Sequence, residues 1–277
     1  MTMDVFQLRQ GRYLMYLDIL GFKELVKTRS PKEVYGIIDH ALQQCAYRER
    51  LIHDFGTLYF SDTIVFYQKP VGWGSWAFCD VYAIAGMIWS ALAAAGIPSR
   101  GAIAFGDFTV EADSAGRHEI FFGPALIEAY ETESHEDHRD WVGLTLCPSA
   151  WQAMDYMEPG TIECFASEGR WRKIGDMLRL NPFMKLAGWH RDYLIGEVTG
   201  PLAQWDAPDF PNDVKALGFM VSQARNPELP DPISRKYRVT LPLLTEMLGE
   251  DCVAWAEEIL PDVMGKAAVE QERDAHG

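Results

Sequence analysis

Positive charge is scarce in this chain: 25 Lys and Arg stand against 40 Asp and Glu, a formal charge of −15. Capture of a nucleic-acid backbone needs clustered cations, so no nucleic-acid partner is expected. A small phosphorylated ligand is still compatible, provided metal ions bridge the like charges. Cysteine is sparse, with five in 277 residues and no CxxC pair. That spacing and the odd number argue against a disulfide framework or a zinc ribbon, and reduced thiols of a cytoplasmic protein are expected. No apolar run is long enough for a membrane span. The longest uncharged stretch, residues 81–97, falls short of the ~20 residues required, and Gly96-Ile97-Pro98 ends it, so it reads as a buried helix. Residues 1–12 are polar, with no apolar centre of a signal peptide. Catalytic signatures are also missing: no Gly-x-Ser-x-Gly elbow, no HExxH, and no Walker lysine after Gly72-Trp73-Gly74.

Apolar residues, by contrast, are plentiful. At 48% hydrophobic and 12% aromatic, the chain has ample material for a core. Residues 12–20 form an almost continuous apolar run, the pattern of a central strand covered on both faces. A short helix over 22–27 follows. Pro31 then opens a second helix, whose apolar face is Ile37, Ile38, Ala41, Leu42 and Cys45. Residues 57–68 read as a hairpin with Ser61-Asp62 at its tip. Helices are expected over 76–95, 123–133 and 148–157, and strands over 98–110, 141–146, 161–165 and 192–198. Gly106-Asp107 is expected to turn a short return strand. The order of elements predicts an α+β sheet close to the split βαβ arrangement, with flanking helices. Prolines punctuate the chain after residue 200. The expected division is therefore a catalytic domain over 1–199 and a mostly helical C-terminal extension over 200–277.

Two acids stand out against this background. Asp18 ends the most apolar strand, and Asp62 sits between two others. A carboxylate in such a place is costly unless it is paired or bound to a metal. If the hairpin lies beside the first strand, the two acids meet, and a divalent cation would relieve their repulsion. Alternatively, each acid only caps a turn. The charged run Glu133, His135, Glu136, Asp137 and His138 reads as a solvated helix end.

Asp18-Ile19-Leu20-Gly21-Phe22, followed by the hairpin acid Asp62, resembles the class III nucleotidyl cyclase family. Arg100 to Gly106, Phe122 to Ala129 and 141–149 resemble further segments of that family in the same order, over roughly residues 12–195. Purine cyclases carry an Asn and an Arg on the helix after the glycine; Ile127 and Glu131 stand at those positions here, so neither role carries over. The purine-reading residue before the second acid is also missing. The sequence Leu58-Tyr59-Phe60-Ser61-Asp62-Thr63, with Tyr16 to Lys23 upstream, is most similar to the pyrimidine cyclases of the bacterial Pycsar antiphage system.

That resemblance implies a homodimeric enzyme that converts UTP to 3′,5′-cyclic UMP and pyrophosphate, the product acting on a separate effector. Asp18, Asp62 and the Ile19 carbonyl would hold two Mn²⁺ or Mg²⁺ ions. Arg100 would act in catalysis on the phosphates, with Lys185 as a second cation and Phe22 and Tyr59 in the substrate pocket. Arg100 could instead be a surface strand-edge residue. Tyr59 could exclude two-ring bases by its size, or could be an ordinary core aromatic. CTP, a purine triphosphate, or a non-catalytic nucleotide-sensing dimer on the same scaffold remain the alternative readings.

Overall fold

The computed structural model describes residues 11–49, 55–68, 76–112, 119–183, 186, 190 and 210–275. Strand β1 (Arg12–Ile19) is followed by helices α1 (Phe22–Thr28) and α2 (Pro31–Glu49). The hairpin of β2 (Phe55–Phe60) and β3 (Thr63–Gln68), helix α3 (Trp76–Ala94) and strand β4 (Ser99–Gly106) come next. These first four strands lie in the order β2-β3-β1-β4, all neighbours antiparallel, and α2 and α3 pack on one face. This is the split βαβ arrangement, so the α+β expectation holds.

Beyond β4 the sheet continues through β7 (Leu144–Leu146), β9 (Met177–Leu180) and β8 (Trp171–Ile174), giving seven strands in all. β7 is parallel to β4, as a crossover requires, and the chain between them carries α4 (Pro124–Ser134) and a short 3-10 turn (Glu136–His138). α5 (Pro148–Met157) and α6 (Thr161–Ser167) precede the β8–β9 hairpin.

Side chains alternate along β1, and the two sets enter different cores. Tyr13, Met15, Leu17 and Ile19 pack against α2, α3 and the later helices. Leu14 and Tyr16 face Ala125 and Ala129 of α4. Burial on both faces is why the run carries no charged position between Arg12 and Asp18. Helices α7 (Phe210–Arg225), α8 (Asp231–Leu248) and α9 (Glu250–Ala275) form the C-terminal part. Val214, Leu217 and Met220 of α7 are fully buried in the same core as β1 and α3.

Several expectations need correction. The strand after Gly106-Asp107 does not return on β4. β5 (Thr109–Ala112) pairs instead with β6 (Glu119–Phe122) in a separate ribbon, because both flanks of β4 are already occupied by β1 and β7. Residues 161–165 are helical, since Ile162, Phe165 and Ala166 recur at the i, i+3, i+4 spacing and pack on the core together. The strand expected over 141–146 is confined to Leu144–Leu146. The β8–β9 hairpin was unforeseen; it turns at Gly175, which has a φ of 59°. The strand expected over 192–198 lies outside the described residues.

Candidate active site

Asp18 belongs to the face of β1 that carries Leu14 and Tyr16, and it is half-buried where the cover of α4 runs out. The ladder places it opposite Thr63 of β3 and opposite Arg100 of β4. The Tyr16 hydroxyl lies 3.2 Å from the Thr63 hydroxyl, which ties the two strands together one step inside the site. Gly21 follows with a φ of 75°, a left-handed conformation that lets the chain leave the sheet and start α1.

Asp62 occupies the β2–β3 turn beside Ser61, whose φ of 57° makes the turn tight. Its backbone carbonyl accepts the Ile19 N–H at 2.8 Å. The hairpin tip is therefore docked on the end of β1, and the two acids are neighbours in space. Burial, then Glu133 and then Asp62, push the Asp18 carboxyl up to about 6, while Arg100 and Lys236 pull the other way.

Arg100 is not a free surface cation. Its Nε donates to the Glu133 carboxylate, both side chains being almost fully enclosed, and its Nη1 donates to the His138 carbonyl at 3.4 Å. Behind it, Arg179 of β9 donates to His138 Nδ1 at 2.6 Å, to Thr145 Oγ1 at 2.7 Å and to the Asp137 carbonyl at 3.0 Å. Because Nδ1 accepts, the neutral ring carries its proton on Nε2, which is buried without a partner among the described residues. Burial and the nearby Arg179 push the His138 pKa down to about 3. The charged run around residues 133–138 is thus a solvated helix end only in part: Glu133 and His138 are buried, while His135, Glu136 and Asp137 are exposed.

From the C-terminal part, α8 brings half-buried Lys236 into electrostatic contact with Arg100, Asp140, Asp18 and Glu133. Sequence reasoning missed Glu133, His138, Arg179 and Lys236. Arg179 did leave a signal, being a single charge between Leu178 and Leu180. The other three are hidden in ordinary charge runs.

Of the residues anticipated from sequence, the structure brings together Asp18, Ile19, Asp62 and Arg100. The Ile19 side chain itself is buried in the opposite core. Phe22 packs half-buried against that same core. Tyr59 pairs with Ile64, whose side chain lies on the α2–α3 face, so Tyr59 is across the sheet from Asp18. Its neighbour Phe60 takes the Asp18 face, with its ring 5.5 Å from that of Phe121. Lys185 lies outside the described residues.

No group of three or more His, Cys, Asp or Glu among the described residues forms a metal site. The acids form a pair. An oxygen-only pair of carboxylates, with excess negative charge at a half-buried position, still fits a hard divalent cation that takes its remaining ligands from phosphates and water.

No protein-family model matches the chain, and no curated protein matches it in sequence. Solved structures match it in part. A guanylate cyclase domain from Catenaria anguillulae, in complex with GTP, aligns over 53% of this chain and 82% of its own at 14% identity, with a TM-score of 0.43. An adenylyl cyclase from P. aeruginosa aligns over 53% and 81% at 14% identity, TM-score 0.43. A monomeric guanylyl cyclase domain of a fusion protein from Blastocladiella emersonii aligns over 62% and 94% at 12% identity, TM-score 0.45.

Proposed function

We propose that this chain is a nucleotidyl cyclase of the class III type that converts a pyrimidine nucleoside triphosphate, UTP in the first place, to its 3′,5′-cyclic monophosphate. The observation that carries the reading is the Asp18–Asp62 pair, docked by the Ile19 N–H to Asp62 carbonyl bond and flanked by Arg100 and Lys236. A binding protein for a polyanion gains nothing from two acids at that point. A protein that holds divalent cations against phosphates does.

In the proposed reaction the ribose 3′-hydroxyl gives up its proton to water as its oxygen forms a bond to the α-phosphorus, and the bond from that phosphorus to the oxygen bridging to the β-phosphate breaks, releasing pyrophosphate. Two Mg²⁺ or Mn²⁺ ions, held by Asp18, Asp62 and the Ile19 carbonyl, would supply Lewis acidity at the attacking and leaving oxygens. The chain's own part is to set the charge of the site. Arg100, across the ladder from Asp18, adds positive potential on the phosphate side, and Glu133 keeps its guanidinium in place. The nucleotide would lie on the Asp18 face, where Phe60, Ile127 and Tyr130 are exposed. These apolar side chains support a homodimer in which a second copy closes the pocket. The sequence resemblance supports a cytoplasmic messenger role in antiphage defence, with the product acting on a separate effector.

One observation favours a second reading. Ile127 and Glu131, which stand where the purine enzymes carry their Asn and Arg, are both exposed and present no matching donor. That suits a non-catalytic nucleotide sensor. Incubating the purified protein with UTP, CTP, ATP or GTP and Mn²⁺, and identifying products by mass, separates the readings. We expect cyclic UMP, and loss of turnover in Asp18→Ala and Asp62→Ala with the fold intact. Activity within about tenfold of wild type in either variant, a barrier change of only ~1.4 kcal/mol, contradicts the two-metal role.

A further inference from the structure

The C-terminal helices reach the site. Three strand ends line up at this edge of the sheet. Asp18 at the end of β1 faces Arg100 at the start of β4, and the Gly101 N–H donates to the Gly143 carbonyl at 3.0 Å just before β7. The neighbouring Val142 N–H donates to Thr240 Oγ1 of α8 at 3.0 Å. A second tie, Arg235 Nε to Asp140 at 2.8 Å, holds the same helix one turn earlier. α8 is therefore fixed against the sheet edge that ends in Asp18.

Lys236 sits between those ties. It lies four residues before Thr240, one helical turn away on the same side of α8. It is half-buried and makes no hydrogen bond or ion pair with any described residue. The charged groups around it are Asp18, Glu133, Asp140 and Arg100. Glu133 is committed to Arg100 and Asp140 to Arg235. Among the described residues, Lys236 is thus the cation at this site without a fixed partner. A half-buried ammonium near Asp18, with no salt bridge to any described residue, is placed to meet an anion that arrives from outside.

We propose that Lys236 binds the triphosphate of the substrate, so that the C-terminal helix α8 supplies a phosphate ligand to the site built on β1 and β4. The proposal deepens the cyclase reading and rests on it for the identity of the substrate, while the phosphate-binding role can be measured without turnover. An ammonium is a compact, mobile point charge, suited to following phosphates as they separate. Arg100, locked by Glu133, cannot follow in that way.

The test uses the full-length chain and two readouts. Calorimetric titration with inorganic tripolyphosphate and Mn²⁺ measures phosphate binding alone, and steady-state turnover of UTP measures the reaction. Lys236→Gln should weaken tripolyphosphate binding at least tenfold and lower kcat/KM for UTP by tenfold or more. Lys236→Arg should restore binding to within about threefold. Arg238→Gln, on an exposed position paired with Asp231, should change neither readout. Unchanged thermal midpoints exclude a folding defect, and if Lys236→Gln unfolds, Lys236→Met carries the same comparison. If wild type turns over no nucleotide but binds tripolyphosphate, and Lys236→Gln loses that binding, the cyclase reading fails and the phosphate role stands. If Lys236→Gln binds tripolyphosphate as wild type does, or if wild type does not bind it, the proposal is overturned.

Discussion

Asp18 carries opposing demands. In the proposed metal-holding role it would be ionised, yet burial and the nearby Glu133 and Asp62 raise its pKa to about 6. The sign of the effect on stability follows from linkage. A carboxyl whose folded pKa lies above its unfolded value near 3.8 stabilises the fold fully below that value, and the contribution is lost as pH rises through about 6. Asp18→Asn removes this titration. In EDTA, the thermal midpoint of wild type relative to Asp18→Asn should therefore be highest near pH 4 and fall steadily toward pH 7. A flat difference across that range contradicts the raised Asp18 pKa. His138 titrates in the opposite sense. Its folded pKa of about 3 lies below the unfolded 6.5, so its share of stability is present at neutral pH and drains away as pH falls between those values. The comparison with Asp18→Asn cancels that share, because both proteins keep His138.

At the level of elements, α8 is held by few specific bonds. Thr240 is fully buried, and its hydroxyl accepts the Val142 N–H. Thr240→Val keeps the shape but leaves that N–H unsatisfied in the interior, which costs about 1–3 kcal/mol. Urea denaturation should show a loss of that size with the slope unchanged. If α8 also positions Lys236, the same variant should raise KM for UTP more than it lowers kcat. Helix α2 offers an independent check. Ser30 and Glu33 form a reciprocal cap, with the Ser30 N–H donating to Glu33 at 2.8 Å and the Glu33 N–H to the Ser30 hydroxyl at 3.3 Å. Ser30→Ala should cost about 1 kcal/mol and leave turnover untouched, because α2 covers the face of the sheet away from Asp18.

The whole molecule leaves apolar side chains exposed on the helix and ribbon that cover the Asp18 face of the sheet. Phe122 and Ile127 are 59% and 58% exposed, on β6 and α4 respectively. Tyr130 is exposed as well, with its ring 5.7 Å from that of Tyr16 on the Asp18 face. Single exposed apolar residues are ordinary, but several beside a candidate site favour an interface. A two-fold dimer would present this surface twice. If the proposed dimer forms through this surface, Ile127→Asp and Phe122→Asp together should shift it to monomer in sedimentation velocity and lower turnover with it. Wild type that is fully active while sedimenting as a monomer at assay concentration would falsify the shared pocket.

The sequence by itself determined the frame. The doubly apolar run of β1, the Ser61-Asp62 hairpin, the Pro-initiated helices and the positions of Asp18 and Asp62 could be read directly, because each depends on local periodicity or a local turn. Helix α6 was misread, since a five-residue window cannot separate a strand from one helical turn. The β5–β6 ribbon could not be seen either, because whether β5 finds a place beside β4 depends on which strands already flank it. Tertiary structure alone decided the partners of the acids. Arg100 meets Glu133 across 33 residues of chain, His138 meets Arg179 across 41, and Lys236 reaches Asp18 from the far end of the sequence. Polar and electrostatic contacts of this kind have no period. Their identity comes from strand register and helix docking, and the parity of the β2–β3 ladder, which turns Phe60 rather than Tyr59 toward Asp18, is likewise fixed only when the strands pair.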